Sequence, residues 1–350
     1  MTTRDEPLLR IEDLQTVFYT DKETIHAVDR IDLSVDRGET LGIVGESGSG
    51  KSVTARSIMG LIDAPGKILD SSSIELEGRE LTELTEKQYE RIRGSDITMV
   101  FQDPMTSLNP VYTVGNQIKE ALKLHRGLTG RQATEEALSL LEAVGIPDAT
   151  RRINEYPHQY SGGMRQRAII ARALACEPDV LICDEPTTAL DVTIQAQILD
   201  LLNEVQQERD LAIIFITHDM GVIAEMADRV NVMYAGEIVE SASVYELFEN
   251  PSHPYTKGLL ESIPGKNPER DMLRTIEGDV PTPNEPAESC RFAPRCPEAF
   301  EKCTAIHPNS VSIRDDAAHA AACLLYPESE SRERAIAIHS SNSDRGDESE

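Results

Sequence analysis

Residues 45–52 read Gly45-Glu46-Ser47-Gly48-Ser49-Gly50-Lys51-Ser52, a complete G-x-x-x-x-G-K-[ST] run. Its chemistry is the cradling of phosphates. Glycines let successive backbone N–H groups turn inward, and a helix beginning at Lys51-Ser52-Val53 adds the positive end of its dipole. Lys51 can reach the terminal phosphates, and the Ser52 hydroxyl can bind Mg²⁺. A second chemical pair stands at 184–185. Residues 180–185 read Val-Leu-Ile-Cys-Asp-Glu, four apolar residues ending in two carboxylates. Asp184 suits the shell of Mg²⁺, usually through water. Glu185 suits the orientation or deprotonation of an attacking water.

The elements that must position these groups follow from the pattern around them. The apolar run Thr40-Leu41-Gly42-Ile43-Val44 reads as a strand before the loop, and residues 53–59 read as the helix after it. The run 180–184 reads as a buried parallel strand, and its carboxylates stand at the C-terminal end, where open α/β sheets bind ligands. Further strands are expected at 212–217 and 229–234, alternating with helices near 193–209 and 219–226. Residues 8–60 read as an antiparallel β start, 74–79 as a strand and turn, and 114–145 as two helices by apolar spacing.

Further motifs stand in a fixed order. Tyr160-Ser161-Gly162-Gly163-Met164-Arg165-Gln166-Arg167 lies 23 positions before Asp184 (184 − 161), and a helix continues from it over 166–177. Gln102 stands in Met99-Val100-Phe101-Gln102-Asp103-Pro104, Asp191 in Ala189-Leu190-Asp191, and His218 in Ile216-Thr217-His218-Asp219. Together these resemble the signature sequence, Q-loop, D-loop and switch histidine of ABC-type ATPases. The match spans roughly residues 8–265.

The resemblance implies an α/β P-loop NTPase core with an antiparallel β subdomain and a helical insertion at about 103–167. It implies ATP and Mg²⁺, with Ser52, Gln102 and Asp184 around the metal. Glu185, His218 and Gln102 would be catalytic. Ser161, Gly162, Gly163 and Asp191 would complete the nucleotide site, the signature serving the opposite site of a head-to-tail pair. Phe18, rather than Tyr19, falls where the family stacks an aromatic on adenine. One departure is visible: many members have Gln directly after the two glycines, whereas this chain has Met164, with Gln166 two places on.

After residue 250 the texture changes to a proline-rich segment opened by Asn250-Pro251-Ser252-His253-Pro254-Tyr255-Thr256, with Pro264, Pro268, Pro281, Pro283 and Pro286 following. It carries Cys290, Cys296, Cys303 and Cys323 at spacing C-x5-C-x6-C-x19-C. Four thiolates in a core-poor segment can form a Cys₄ site that organises it. Zinc more often takes tighter Cys pairs, and disulfides are rare in the cytosol. Arg291 and Arg295 suit phosphate, partner or charge-balancing contacts. Cys176 and Cys183 read as small buried apolar residues. The segment resembles the C-terminal extension of ATP-binding subunits of oligopeptide, dipeptide and nickel importers, some of which hold a 4Fe–4S cluster on these cysteines. A small irregular metal-binding extension is therefore expected over 251–326, after a nucleotide domain over 1–250. Residues 327–350, with seven acids and three bases, are expected to be disordered.

Composition narrows the setting. The chain of 350 residues has 61 acids, 34 bases and a formal charge of −27; only 9 of the bases are Lys. An acid-rich, lysine-poor surface suits a high-salt cytoplasm, the alternative being an ordinary acidic cytosolic protein, and the lack of a basic stripe argues against nucleic acid. No run approaches the 18 apolar residues of a membrane span, and the N-terminus lacks a signal-peptide pattern. The resemblance implies a peripheral subunit on the cytoplasmic face of the cell membrane. Its partners would be a sister ATPase, two integral permeases and an external substrate-binding protein, and its cargo peptide, or else nickel or another small solute. A soluble ABC protein of DNA repair or translation is the reading from another class. Its coiled coils or fused ATPase pair are not apparent in the sequence.

Overall fold

The computed structural model describes residues 6–102, 107–188, 190–263, 276–313, 316–327 and 332–340. Along the chain run β1 (Leu9–Tyr19), β2 (Thr24–Val35), β3 (Thr40–Val44), α1 (Lys51–Ile58), β4 (Gly66–Ile68), β5 (Ser73–Leu76), β6 (Arg79–Glu80), α2 (Glu86–Ile92) and β7 (Ile97–Val100). Then come α3 (Val114–Arg126), α4 (Gly130–Ala143), α5 (Ala149–Arg152), α6 (Gly162–Leu174), β8 (Val180–Asp184), α7 (Val192–Arg209), β9 (Ala212–Thr217) and α8 (Met220–Met226). The last elements are β10 (Arg229–Tyr234), β11 (Glu237–Ser243), α9 (Val244–Glu249), α10 (Pro254–Glu261), β12 (Ser310–Ile313), β13 (Asp316–Ala322) and α11 (Arg332–Ser340). The described residues fall into two compact units that interleave along the chain. One draws on Met1–Leu9, Ser34–Thr40 and Glu75–Ile216, the other on Arg10–Leu33, Leu41–Ile74 and Thr217–Glu350.

The first unit is built on a parallel run in which β7 pairs with β8 and β8 with β9, Ile97 opposite Val180 and Val180 opposite Ala212. Every residue of β8 and β9 is buried, as expected of strands covered on both faces. The two helices expected over 114–145 form as α3 and α4. Val114, Ile118 and Leu122 of α3 and Ala133, Ala137 and Leu141 of α4 are buried at helical spacing. The Thr113 hydroxyl caps α3 by accepting from the Asn116 N–H, and Gly127 ends it with φ 67°. The start of the expected insertion at Asp103-Pro104 lies outside the described residues.

In the second unit β3 pairs in parallel with β10, β10 antiparallel with β11, β11 with β13, and β13 with β12. The C-terminal extension is therefore less irregular than its composition suggests: it contributes two strands. Residues 316–322, Asp-Ala-Ala-His-Ala-Ala-Ala, carry little β propensity. The strand forms because tertiary pairing, Glu240 opposite Ala321, supplies its hydrogen bonds. It also brings the buried His319 Nε2 within 2.9 Å of Glu240 Oε1. Glu240, 1 % exposed, also accepts the Ser252 and His253 N–H groups at 2.7 and 2.9 Å. A buried carboxylate with three partners holds the turn into α10.

The acidic tail also departs from expectation. Residues 332–340 form α11, whose Ala335 and His339 are buried. His339 Nδ1 accepts the Asn309 N–H at 3.0 Å, and its Nε2 lies 2.7 Å from the Tyr326 carbonyl oxygen. Burial of two side chains outweighs the polar composition of this turn. The remainder, 328–331 and 341–350, lies outside the described residues.

His253 caps α10, its Nδ1 accepting the Tyr255 N–H at 3.1 Å, so the ring proton must sit on Nε2. Burial lowers its pKa to about 4, against the opposing influence of Glu240. In the unfolded chain the ring titrates near 6.5. Between those values the unfolded chain binds a proton that the folded chain refuses, so stability falls as pH drops from about 6.5 to about 4. The expected loss is roughly 2 kcal/mol by pH 5. His253→Asn keeps a capping acceptor and should flatten that slope in denaturant titrations at pH 7 and 5. Equal slopes for the two proteins would count against it.

Candidate functional site

The phosphate loop leaves β3 and enters α1, whose first residues are Lys51 and Ser52. Gly45 is required by crowding: a Cβ there would come 2.1 Å from the Met233 carbonyl oxygen. Gly50 combines φ +105° with a Cβ position 2.4 Å from the Ala27 carbonyl oxygen, a setting only glycine accepts. Lys51 is buried, and its Nζ donates to the carbonyl oxygens of Gly45 and Glu46 at 2.8 Å each and to Ser49 Oγ at 3.3 Å. Its ammonium is thus held by oxygen acceptors of the loop itself, the kind of acceptor that phosphate oxygens also offer. Phe18, half-buried at the end of β1, lays its ring edge against Gly66; Tyr19 beside it is 53 % exposed. His218 is exposed in the turn after β9, where the neighbouring Asp219 caps α8 through the Gly221 and Val222 N–H groups.

The carboxylates end β8 in the other unit. Asp184 is buried at the strand end. Glu185 takes φ +49°, an uncommon conformation for a residue with a side chain, and its N–H donates to the Ile216 carbonyl at 2.9 Å. Such local strain concentrates at functional sites. Here it turns the side chain off the strand. Gln102 Nε2 donates to Glu185 Oε2 at 2.9 Å, and Thr188 Oγ donates to the same oxygen at 2.9 Å. Two residues that the sequence nominated separately, 83 positions apart, are therefore in contact. Thr188 was missed: three residues from Glu185, it had no signal beyond being a hydroxyl.

The signature also takes a defined form. Ser161 is the N-cap of α6, its Oγ accepting the Met164 N–H at 3.3 Å, so Gly162 and Gly163 present the amides of the first turn. Gly163 admits no side chain, since a Cβ would meet Ile194 Cγ2 at 2.5 Å. Gln166 does not compensate for Met164: it is fully buried within the helix packing. Asp191 caps α7 by accepting the Ile194 N–H at 3.0 Å; Ala189 before it lies outside the described residues.

All six cysteines are free. Burial pushes the Cys290 thiol up to about 11 and Cys323 up to about 12, and both are raised further by charge on the other cysteines of the set. Cys303 lies in a small core with Ala293 and Leu324, against which Cys290, Phe300 and Ile306 pack, and its carbonyl accepts the Cys290 N–H at 3.1 Å. Two of the four expected ligands, Cys290 and Cys303, are therefore in contact. Among the described residues no group of three or more His, Cys, Asp or Glu side chains is drawn together as a ligand set for a single metal ion. The two arginines of this segment do not face the thiols. Arg291 Nη2 lies 2.5 Å from the buried carboxylate of Asp29, and Arg295 pairs with Glu46 at 3.1 Å. Cys183 is fully buried and Cys176 half-buried, each thiol raised by burial.

The ABC transporter family model matches residues 28–188, and the model for the oligopeptide/dipeptide transporter C-terminal region matches 239–303. The chain is 50 % identical over 321 residues to the oligopeptide transport ATP-binding protein AppD of Bacillus subtilis (strain 168), covering 92 % of this chain and 97 % of that protein. It is 48 % identical over 320 residues to the dipeptide transport ATP-binding protein DppD of the same organism, covering 91 % and 95 %. Among solved structures it resembles the ATP-binding cassette MJ0796, captured as a post-hydrolysis dimer with ADP and phosphate. That likeness has a TM-score of 0.61 at 28 % identity and covers 67 % of this chain and 98 % of the cassette. Likeness over nine-tenths of the chain, carried by the motifs and by the extension alike, means that this chain belongs to the ATP-binding subunits of the oligopeptide/dipeptide ABC transporter family.

Proposed function

We propose that this chain hydrolyses ATP to power the import of di- and oligopeptides across the cell membrane. The observation that carries the reading is the full-length likeness to peptide-transport ATP-binding proteins, extension included. The geometry supports the chemistry. The phosphate loop with Lys51 holds the phosphates, and Phe18 stacks on the base. Ser52, Asp184 and Gln102 are the residues that would hold Mg²⁺, which when bound would supply neutralisation of charge on the phosphate oxygens. Glu185 orients and deprotonates the attacking water. For that, its Oε2 must exchange the Gln102 donor for a water proton, so Gln102 reports nucleotide binding to the base. His218 fixes the terminal phosphate. Catalysis is positioning and charge stabilisation.

The remaining roles fall on the assembly. A second ATPase subunit pairs head to tail, so that Ser161, Gly162 and Gly163 here serve the partner's site and its signature serves this one. Two integral permeases take up the motion through α3 and α4, and an external binding protein delivers peptide. Among the described residues no helix is long and apolar enough to cross a membrane, which suits a peripheral subunit on the cytoplasmic face. The acid-rich, lysine-poor surface suits a high-salt cytoplasm. Cys290, Cys296, Cys303 and Cys323 are the residues that would hold a soft metal centre, an all-thiol donor set being apt for iron–sulfur or zinc. A single zinc ion and a 4Fe–4S cluster are the two occupants that such a donor set would take. Iron with acid-labile sulfide, against zinc, in the purified chain distinguishes the two.

The test of transport is uptake of labelled dipeptide and labelled Ni²⁺ by cells carrying the wild-type chain or Glu185→Gln. Dipeptide uptake is expected to fall to background and Ni²⁺ uptake to be unaffected. A fall in Ni²⁺ uptake alone would replace the cargo and keep the mechanism. No change in either would overturn the reading.

A further inference from the structure

Glu46, the first variable residue of the phosphate loop, is held from three sides. Its carbonyl accepts from Lys51 Nζ at 2.8 Å, and its N–H donates to the Tyr255 hydroxyl at 2.9 Å. Its carboxylate receives a two-pronged contact from Arg295, Nη1 to Oε1 and Nη2 to Oε2 at 3.1 Å each. Two of the three holders, Tyr255 and Arg295, come from the C-terminal extension, 209 and 249 residues away. The Arg295 side chain is only 7 % exposed. Its other donors are all placed: Nε on the Glu277 carbonyl at 2.9 Å, Nη2 on those of Ile276 and Gly278 at 3.2 and 2.8 Å, and Nη1 near the Tyr234 hydroxyl at 3.4 Å. A planar guanidinium saturated in this way fixes its partners' positions rather than only neutralising them.

Two more contacts tie the same segment to the floor of the loop. Arg291 Nη1 donates to the Ala235 carbonyl at 2.6 Å, and the next residue, Gly236, donates its N–H to the Ser49 carbonyl at 2.9 Å. The rings of Tyr234, Tyr255 and Phe292 pack together with centroids 4.7 to 5.3 Å apart. The chain from Cys290 to Cys296 thus reaches the loop through its side wall at Glu46 and its base at Ser49.

We infer that Arg295 is a positioning residue for nucleotide binding: through Glu46 it sets the shape of the phosphate loop, so that the cysteine segment controls nucleotide affinity and nucleotide in turn orders the cysteine segment. The physical route is short. The carbonyl on which Lys51 rests belongs to Glu46, and Lys51 must trade that carbonyl for phosphate oxygens. With the Glu46 side chain and N–H pinned, the loop amides stay in their phosphate-accepting arrangement. With Arg295 gone, the loop must be ordered at the moment of binding, at the expense of affinity. Linkage requires the effect to run both ways. The inference rests on the ATP-binding reading above.

The test uses the full-length chain and a fluorescent ATP analogue. Arg295→Met is expected to weaken binding on the order of tenfold, within the usual range of such couplings. The KM for ATP should rise in parallel while kcat changes less than twofold. Glu46→Gln should weaken binding similarly, and the double variant should be no worse than either single one, because both remove the same contact. Amides of residues 290–303 should gain hydrogen-exchange protection on adding ATP in the wild type and not in Arg295→Met. Unchanged affinity in both variants, or single effects that add, would overturn the inference. Should Arg295→Met fail to fold, Glu46→Gln decides, since that side chain is 30 % exposed at the loop rim. A wild-type chain that binds no ATP would overturn the ATP-binding reading itself.

Discussion

Glu185→Gln should stop turnover while leaving ATP bound. The substitution keeps the shape of the side chain and its oxygen for the Thr188 hydroxyl, 2.9 Å away. It removes the carboxylate that a left-handed backbone, φ +49°, turns off the end of β8. General-base contributions are on the order of 10²–10⁴ in rate, so steady-state ATP hydrolysis should fall by about that factor. Equilibrium binding of ATP should change little, because nothing that holds the phosphates has been touched. Single-turnover phosphate release and filter binding, run on the same preparation, separate the two quantities. Turnover within about threefold of the wild type would remove Glu185 from the catalytic role and leave Asp184 or another group to be found. A parallel loss of binding would mean that the substitution had disturbed the loop instead.

Lys51→Met should do the opposite, removing binding first. The methionine keeps most of the aliphatic stem, so packing around the buried side chain survives. The charge and three hydrogen bonds do not. Charge-assisted hydrogen bonds contribute about 1.5–3 kcal/mol each. Loss of contacts to two phosphates should therefore weaken ATP binding by at least roughly 100-fold. A second effect is expected without nucleotide. The Gly45 and Glu46 carbonyls and Ser49 Oγ lose a donor, and Ser49 is fully buried. Thermal unfolding should come earlier by an amount equivalent to about 1–3 kcal/mol. Tight ATP binding by a folded Lys51→Met would show that the loop amides alone hold the phosphates.

The chemistry and its order were legible in the sequence because each motif is local. A phosphate loop needs eight consecutive residues and two flanking elements, and β3, the loop and α1 form where the pattern places them. The strand ending in Asp184-Glu185, the paired helices over 114–145 and the helix after the signature were equally readable, since apolar periodicity records which face is covered. The cysteine set could be read as a group along the chain, but among the described residues no three of its thiols are drawn together as ligands of one metal ion. Their metal could not be read, because spacing along a chain constrains distance between sulfurs only loosely.

Contacts between distant residues needed the fold. Whether Gln102 touches Glu185 depends on β7 and β8 lying side by side in register, which no residue near either one encodes. That Ala-rich residues 316–322 form a strand, and 332–340 a helix, was decided by pairing and burial against local composition. That Arg291 and Arg295 reach carboxylates of the first fifty residues, not the thiols beside them, was decided by the return of the extension to the sheet that carries the phosphate loop. Sequence determined which groups are available and what each can do, because side-chain chemistry is intrinsic. Tertiary structure decided which of them act on one another, because hydrogen bonds and charges work over a few ångströms and only folding brings residues 249 positions apart within that range.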